Sequence, residues 1–197
     1  MSPRNAQFGR EEIIEAAFQL VREKGWEGFS VTAVAKSIGG STMPIYSQFS
    51  NVRELEDEVC RKAMGLLKES LLENRTEDKW IDQAISYVNF AMEEKHLFRC
   101  LSDGRNIELQ KELGIGLVDF LDGTLVDYPL FTGLNEIEFR MIRMARMMFA
   151  QRLAHWLNND INYLQKSGLE AEDFIRKSSK AIYDGFMLQF KNNADIA

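Results

Sequence analysis

The chain is predicted to be all-α, with an N-terminal three-helix helix-turn-helix head followed by a C-terminal helical bundle. Three observations predict this. Only three prolines interrupt 197 residues, and the chain is rich in Leu, Ala, Met, Glu and Lys. Apolar residues recur at spacings of three and four from Ile13 to Phe190. Residues 31–55 pack two short amphipathic helices around a Gly-Gly turn.

Taken in order, Ile13, Ile14, Ala17, Phe18 and Val21 mark one face of a helix from about Arg10 to Lys24, which Gly25 stops. Trp26 and Phe29 fold back over its core. Val31, Val34, Ala35 and Ile38 form the inner face of a short second helix, and Gly39 and Gly40 supply the turn. Ser41 is expected to cap a third helix whose inward residues are Ile45 and Phe49. Thr42, Met43, Tyr46, Ser47 and Gln48 then point outward with no core to fill, as a helix docked in a major groove requires. Pro44 fits the first turn, where N–H groups have no intrahelical acceptor. Its ring and the Met43 side chain suit a thymine methyl, while Ser47 and Gln48 suit base edges or phosphate. Thr32 and Arg53 are further phosphate candidates. Asn51 is expected to cap a fourth helix running through Leu55, Val59, Ala63 and Leu67 to roughly Asn74. At about 20 residues, or ~30 Å, that helix is long enough to carry movement between two layers.

Five further helical segments are expected beyond it. Trp80 to about Lys95 forms one, Leu97–Leu101 a short turn before Gly104, and Ile107–Val126 another that stops before Pro129. A long helix is expected from Glu136 to about Lys166, ended by Gly168, and a last one from Glu170 to Lys191. The long helix is apolar over a wide arc and needs partners on more than one side. The last carries Ser178, Ala181 and Gly185, small residues that let a neighbouring helix approach closely. Two such helices from each of two chains would form a four-helix homodimer interface; the same pattern also suits the ordinary core of a monomer. The aromatic and Met residues Tyr87, Phe90, Phe98, Phe120, Met144, Met147 and Trp156 are candidate lining for an effector pocket, although such stripes also build ordinary cores. With few charges expected inside, a largely apolar small molecule is the expected occupant.

The stretch from Ile13 to Leu55 resembles the DNA-binding domain of the tetracycline-repressor (TetR) family of bacterial transcription regulators. The residues that carry the resemblance are Ala16-Ala17, Gly25-Trp26, Val34-Ala35, Gly39, Ser41, Tyr46 and Phe49, in that order and spacing. The resemblance implies a homodimer that places each third helix in a major groove of an inverted-repeat operator and is released by a small-molecule effector. It assigns Tyr46 to a backbone phosphate. Two positions depart from the family pattern. Gly40 replaces an aliphatic residue, which predicts a more loosely packed turn, and Val52 replaces a phosphate-binding Lys whose role passes to Arg53. The expected DNA-contacting set is therefore Thr32, Ser41, Thr42, Met43, Pro44, Tyr46, Ser47, Gln48 and Arg53. The expected domains are residues 1–53 for DNA and 54–197 for effector binding and dimerisation.

Charge is compatible with this, though weakly. Residues 1–53 carry six basic side chains (Arg4, Arg10, Arg22, Lys24, Lys36, Arg53) against five acidic ones, so the head nets +1 within a chain of net −6. Non-specific attraction to phosphate is then modest, and binding must lean on dimerisation and fit. The same weakness supports a different class, a helical protein-interaction module that does not read DNA. An enzyme reading has one foothold, Glu93 and His96 at the Glu-x-x-His spacing of di-iron bundles, but no second copy accompanies it. No catalytic residues, cofactor or metal are expected. No apolar run approaches the ~18 residues of a membrane span, and the N-terminal residues lack the apolar core of a secretory signal. The expected location is the cytoplasm, with Cys60 and Cys100 reduced and packed as small hydrophobes.

Overall fold

A computed structural model describes residues 8–194; Arg4, counted with the head's basic residues, lies outside them. The described residues form nine α-helices and three short 3₁₀ turns, with no strand among them. They are α1 (Arg10–Lys24), α2 (Val31–Ser37), α3 (Met43–Gln48), α4 (Val52–Ser70), α5 (Lys79–Glu93), α6 (Lys95–Cys100), α7 (Ile107–Leu125), α8 (Glu136–Asn159) and α9 (Ala171–Ala194). The chain divides into two compact units. One holds residues up to Leu66 together with Glu94–Ile115, and the other holds Leu67–Glu93 with the chain from Gly116 onward. The division falls inside α4 and inside α7.

In the first unit α1 packs on α2, α3 and α6. Ile13, Ala17, Phe18, Val21, Val34, Ala35, Ile45, Phe49, Leu55, Val59 and Leu97 are buried there. Each large apolar side chain so buried contributes roughly 1.5–3 kcal/mol. Ser30 caps α2 by accepting from the Ala33 N–H at 3.0 Å. Asn51 serves α4 as expected, its Oδ1 accepting from the Glu54 N–H at 3.0 Å. Cys60 and Cys100 are free and buried, with the Cys60 thiol 3.6 Å from the Cys100 carbonyl.

In the second unit α5 packs chiefly on α8, and α9 packs on both. Trp80, Ile81, Ile85, Val88, Leu125, Ile142, Leu153, Leu157 and Ile175 form its core. Asn135 begins α8 with a reciprocal cap: its side chain accepts from the Ile137 and Glu138 N–H groups while Glu138 accepts from the Asn135 N–H. This helix is shorter than the sequence suggests. It ends at Asn159, where Asp160 turns extended and its carboxylate takes the Asn162 N–H at 3.1 Å and Lys166 Nζ at 2.5 Å. An Asn-Asn-Asp run offers the backbone side-chain partners that compete with continuing a helix. Leu164 is buried beyond that break, so the apolar periodicity carries on while the helix does not.

The helix-turn-helix corner differs from expectation at two points. Gly39 adopts φ 71°, as the turn demands. Ser41 does not cap α3; Thr42 occupies that position and makes no side-chain cap. A cap serves the N–H of the second or third helical residue, but the second is Pro44, and the Ile45 N–H already meets the Thr42 carbonyl at 3.2 Å. Nor is the turn loosened by Gly40. The Phe8 ring fills the space, so closely that a Cβ at position 40 would lie 2.7 Å from its Cε2. Gly40→Ala is therefore expected to destabilise the protein by about 1 kcal/mol. The added loss should be smaller in a Phe8→Ala background, and chemical denaturation of the two single variants and the double variant measures that coupling.

Candidate nucleic-acid interface and ligand cavity

The outward residues of the first unit are the corner and its flanks. Met43 is 73% exposed and Tyr46 58% exposed, so both side chains are available to a partner. Thr32, Ser41, Ser47 and Arg53 are exposed, while Thr42, Pro44 and Gln48 are half-buried. Ser47 Oγ donates to the Pro44 carbonyl at 2.7 Å, closing the first turn of α3. Arg53 Nη2 donates to the Arg105 carbonyl, so this candidate phosphate ligand has an internal partner in the free protein.

Arg10 holds α3 in place, a role not evident in the sequence. Its Nη1 donates to the Gln48 carbonyl at 2.7 Å and meets Glu54 Oε1 at 2.9 Å, its Nη2 meets Glu58 at 3.0 Å, and its guanidinium lies 4.3 Å from the Phe49 ring centroid. One side chain from α1 thus ties the end of α3 to the start of α4. A six-residue helix cannot persist on its own backbone bonds, so this clasp and the burial of Ile45 and Phe49 set where Tyr46 points.

The second unit contains a narrow cavity between α5, α7 and α8. Its apolar lining is Leu71, Ala84, Leu117, Leu121, Met147 and Ala150; its polar lining is Gln83, Tyr87, Gln151, Arg143 and Arg146. At about 20 Å³ the free space admits roughly one water molecule. Of the seven sequence candidates, Tyr87 and Met147 line it. Phe90 is buried elsewhere on α5, Phe98 belongs to the core of the first unit, and Phe120 is half-buried outside the lining. Met144 and Trp156 point outward at 38% and 41% exposure, Trp156 lying against Tyr163 with ring centroids 4.9 Å apart.

The expectation of few buried charges does not hold. Arg143 and Arg146 are both buried on α8. Arg143 pairs through Nε with Asp122, whose carboxyl is pushed above its ordinary range by desolvation even against that pairing. Arg146 donates to the Trp80 carbonyl and to Gln83 Oε1 at 3.1 Å, and its guanidinium stacks 3.7 Å from the Trp80 ring centroid. Burial lowers its pKa to about 9, which leaves it charged near neutrality. Position 146 falls in register with the buried stripe Ile142, Ala150, Leu153 and Leu157, and that register was the available signal. The opposite stripe of α8, comprising Ile137, Met141, Met144, Met148 and Trp156, is exposed.

Glu93 ends α5 and His96 belongs to α6, so their spacing does not place them on one face of one helix. Among the described residues no group of three His, Cys, Asp or Glu side chains is arranged to hold a metal ion, and no helix is long and apolar enough to cross a membrane.

Residues 13–59 match the family model described as bacterial regulatory proteins, tetR family. The chain is 24% identical over 174 residues to the fatty acid metabolism regulator protein of Bacillus subtilis (strain 168), covering 77% of this chain and 85% of that protein. Two solved structures share its fold at 19% identity. A TetR family protein from Vibrio parahaemolyticus matches with a TM-score of 0.53 over 89% of this chain and 97% of that one. The fatty acid degradation regulator FadR from Bacillus halodurans matches with a TM-score of 0.57 over 89% and 96%.

The Tyr87 phenol, desolvated though hydrogen-bonded to Gln151, has its pKa pushed up to about 12 from the ordinary 10.0. The unfolded chain releases this proton near pH 10 and the folded one does not, so Tyr87 should make stability fall as pH rises from about 10 to about 12. Denaturation midpoints across that interval should decline more steeply for the parent than for Tyr87→Phe.

Proposed function

Since the chain belongs to the tetR family of bacterial regulatory proteins and is a DNA-binding transcriptional regulator, we propose that it is a homodimeric repressor released from an inverted-repeat operator by a small molecule held in the α5–α7–α8 cavity. The observation that carries the DNA reading is the exposed face of α3, where Met43 and Tyr46 stand in solvent on a helix too short to be kept for its own stability. In this reading Met43 and Pro44 meet base edges, Ser47 and Gln48 hydrogen-bond to bases or phosphates, and Tyr46, Thr32, Ser41, Thr42 and Arg53 position the backbone. Residues 1–53 would supply that head and the rest of the chain the effector and dimer functions.

The second copy is proposed to cover the exposed stripe of α8 together with α9, where Leu188 is 62% exposed and Phe186 and Phe190 are half-buried. A continuous apolar face of this length on a lone chain marks an interaction surface. A two-fold pair of heads then requires two half-sites one or more helical turns apart. The relatives named for fatty acid metabolism and degradation support an effector with an aliphatic chain, which the Leu and Ala lining suits. Such a molecule acts only through a difference in its affinity for the two states of the protein.

Tyr46→Ala and Gln48→Ala should each weaken a mobility shift on the operator by ~10-fold or more, the loss of one good contact, with the oligomeric state unchanged. Parent-like binding by both variants would remove α3 from the interface. Met148→Glu should convert the dimer to monomers of 22.7 kDa in light scattering while helical circular dichroism is retained. The protein-interaction alternative predicts no shift on any fragment at low salt, and no fall of affinity with salt.

A further inference from the structure

Arg143 and Arg146 stand three residues apart on α8, so both guanidinium groups reach one wall of the cavity. Their exposures are 4% and 3%. No carboxylate is among the lining residues, and Asp122, outside the lining, is committed to Arg143. Among the described residues the direct partners of Arg146 are neutral, Trp80 and Gln83, and Asp78 attracts it from a distance while pairing with the Tyr128 hydroxyl at 2.9 Å. The buried Asp82 is directed elsewhere, its two oxygens accepting from the Arg75 and Thr76 N–H groups at 3.2 and 2.8 Å. Donors are also left over: Arg143 Nη1 and Arg146 Nε are buried without a hydrogen-bond partner among the described residues. Leaving a buried cation unpaired opposes folding. The cavity therefore holds two buried guanidinium groups with unused N–H donors beside the apolar part of its lining.

We propose that this cavity binds a molecule with a single carboxylate and an aliphatic tail, the carboxylate received by Arg143 and Arg146 and the tail lying against Leu117, Leu121 and Ala150. The proposal rests on reading the cavity as the effector site and specifies the chemistry of the effector. A carboxylate supplies the negative partner that Arg146 lacks among its direct contacts, and paired N–H donors suit its planar oxygens. An alcohol or a thioester of the same chain presents neither the charge nor that geometry. Because the free cavity holds about one water, the tail must part α5 from α7 and α8 on entry. The arginines thus supply the attraction that makes opening favourable for a carboxylate and not for its neutral analogues.

The test uses the full chain without DNA, titrated calorimetrically with dodecanoate, dodecanol and the dodecanoyl thioester of coenzyme A, all below micellar concentrations. Dodecanoate is expected to bind at least ~10-fold more tightly than either analogue, the contribution of hydrogen bonds to a charged group. Arg143→Gln should reduce dodecanoate to the level of dodecanol, with Arg143→Lys recovering part of the difference. The ligand comparison on the parent protein decides the matter even if neither variant folds. Equal binding of dodecanol, tighter binding of the thioester, or no binding of dodecanoate overturns the proposal. Operator binding is scored separately. A protein that shifts its operator but ignores dodecanoate loses only the carboxylate assignment. One that binds dodecanoate with this selectivity but shifts no DNA keeps the carboxylate assignment and loses the regulator reading.

Discussion

Arg146 stacks on the Trp80 ring and donates to the Trp80 carbonyl and to Gln83, fastening α8 to α5 at the centre of the second unit. That contact fixes the rotation of α8 about its own axis. With position 146 inward, Ile142, Ala150, Leu153 and Leu157 follow it into the core, and Ile137, Met141, Met144, Met148 and Trp156 must face out. The ordinary preference for methionine inside and arginine outside is inverted along much of one helix. Neither half of that inversion favours the isolated chain. Burying the arginine opposes folding, and exposing the methionines leaves apolar surface in water. Both halves make sense if the protein functions with a ligand on one side of α8 and a second copy on the other.

The first unit is governed by a similar economy. Its third helix spans six residues, has no side-chain cap and contains a proline, so its own hydrogen bonds do little to hold it. Its position comes from Ile45 and Phe49 below it and from Arg10, whose guanidinium joins the end of α3 to Glu54 and Glu58 on α4. Phe8 closes the space above Gly40. The outward side chains then sit on a base that needs no rearrangement to present them, which suits recognition of a fixed groove.

Much of this was legible in the chain. The apolar spacing located α1, α2, α4, α5 and α7 to within a few residues, because each carries its buried side chains at regular helical spacing. The corner glycines and the Tyr46–Phe49 spacing marked the helix-turn-helix. What escaped depended on contacts far apart in sequence. Nothing near Gly40 announces that Phe8 will fill its space, and nothing near Asn159 in the apolar pattern announces that α8 will stop while Leu164 stays buried. Arg143 and Arg146 lie in a run of alternating Arg and Met, where charge suggests solvent. Only their register with Ile142 and Leu157 places them inside. Pocket residues were the least legible, since Phe90 and Tyr87 sit on the same helix with the same apolar character. Which of them borders empty space depends on neighbouring helices.

In the proposed function this chain works as a two-fold pair on DNA, with the outward stripe of α8 covered by its copy. Native mass spectrometry of the protein on its enriched genomic site tests it most directly. An even number of 22.7 kDa chains is expected on each duplex, with none bound singly. A complex of one chain with one duplex, or no complex with any duplex, would contradict it.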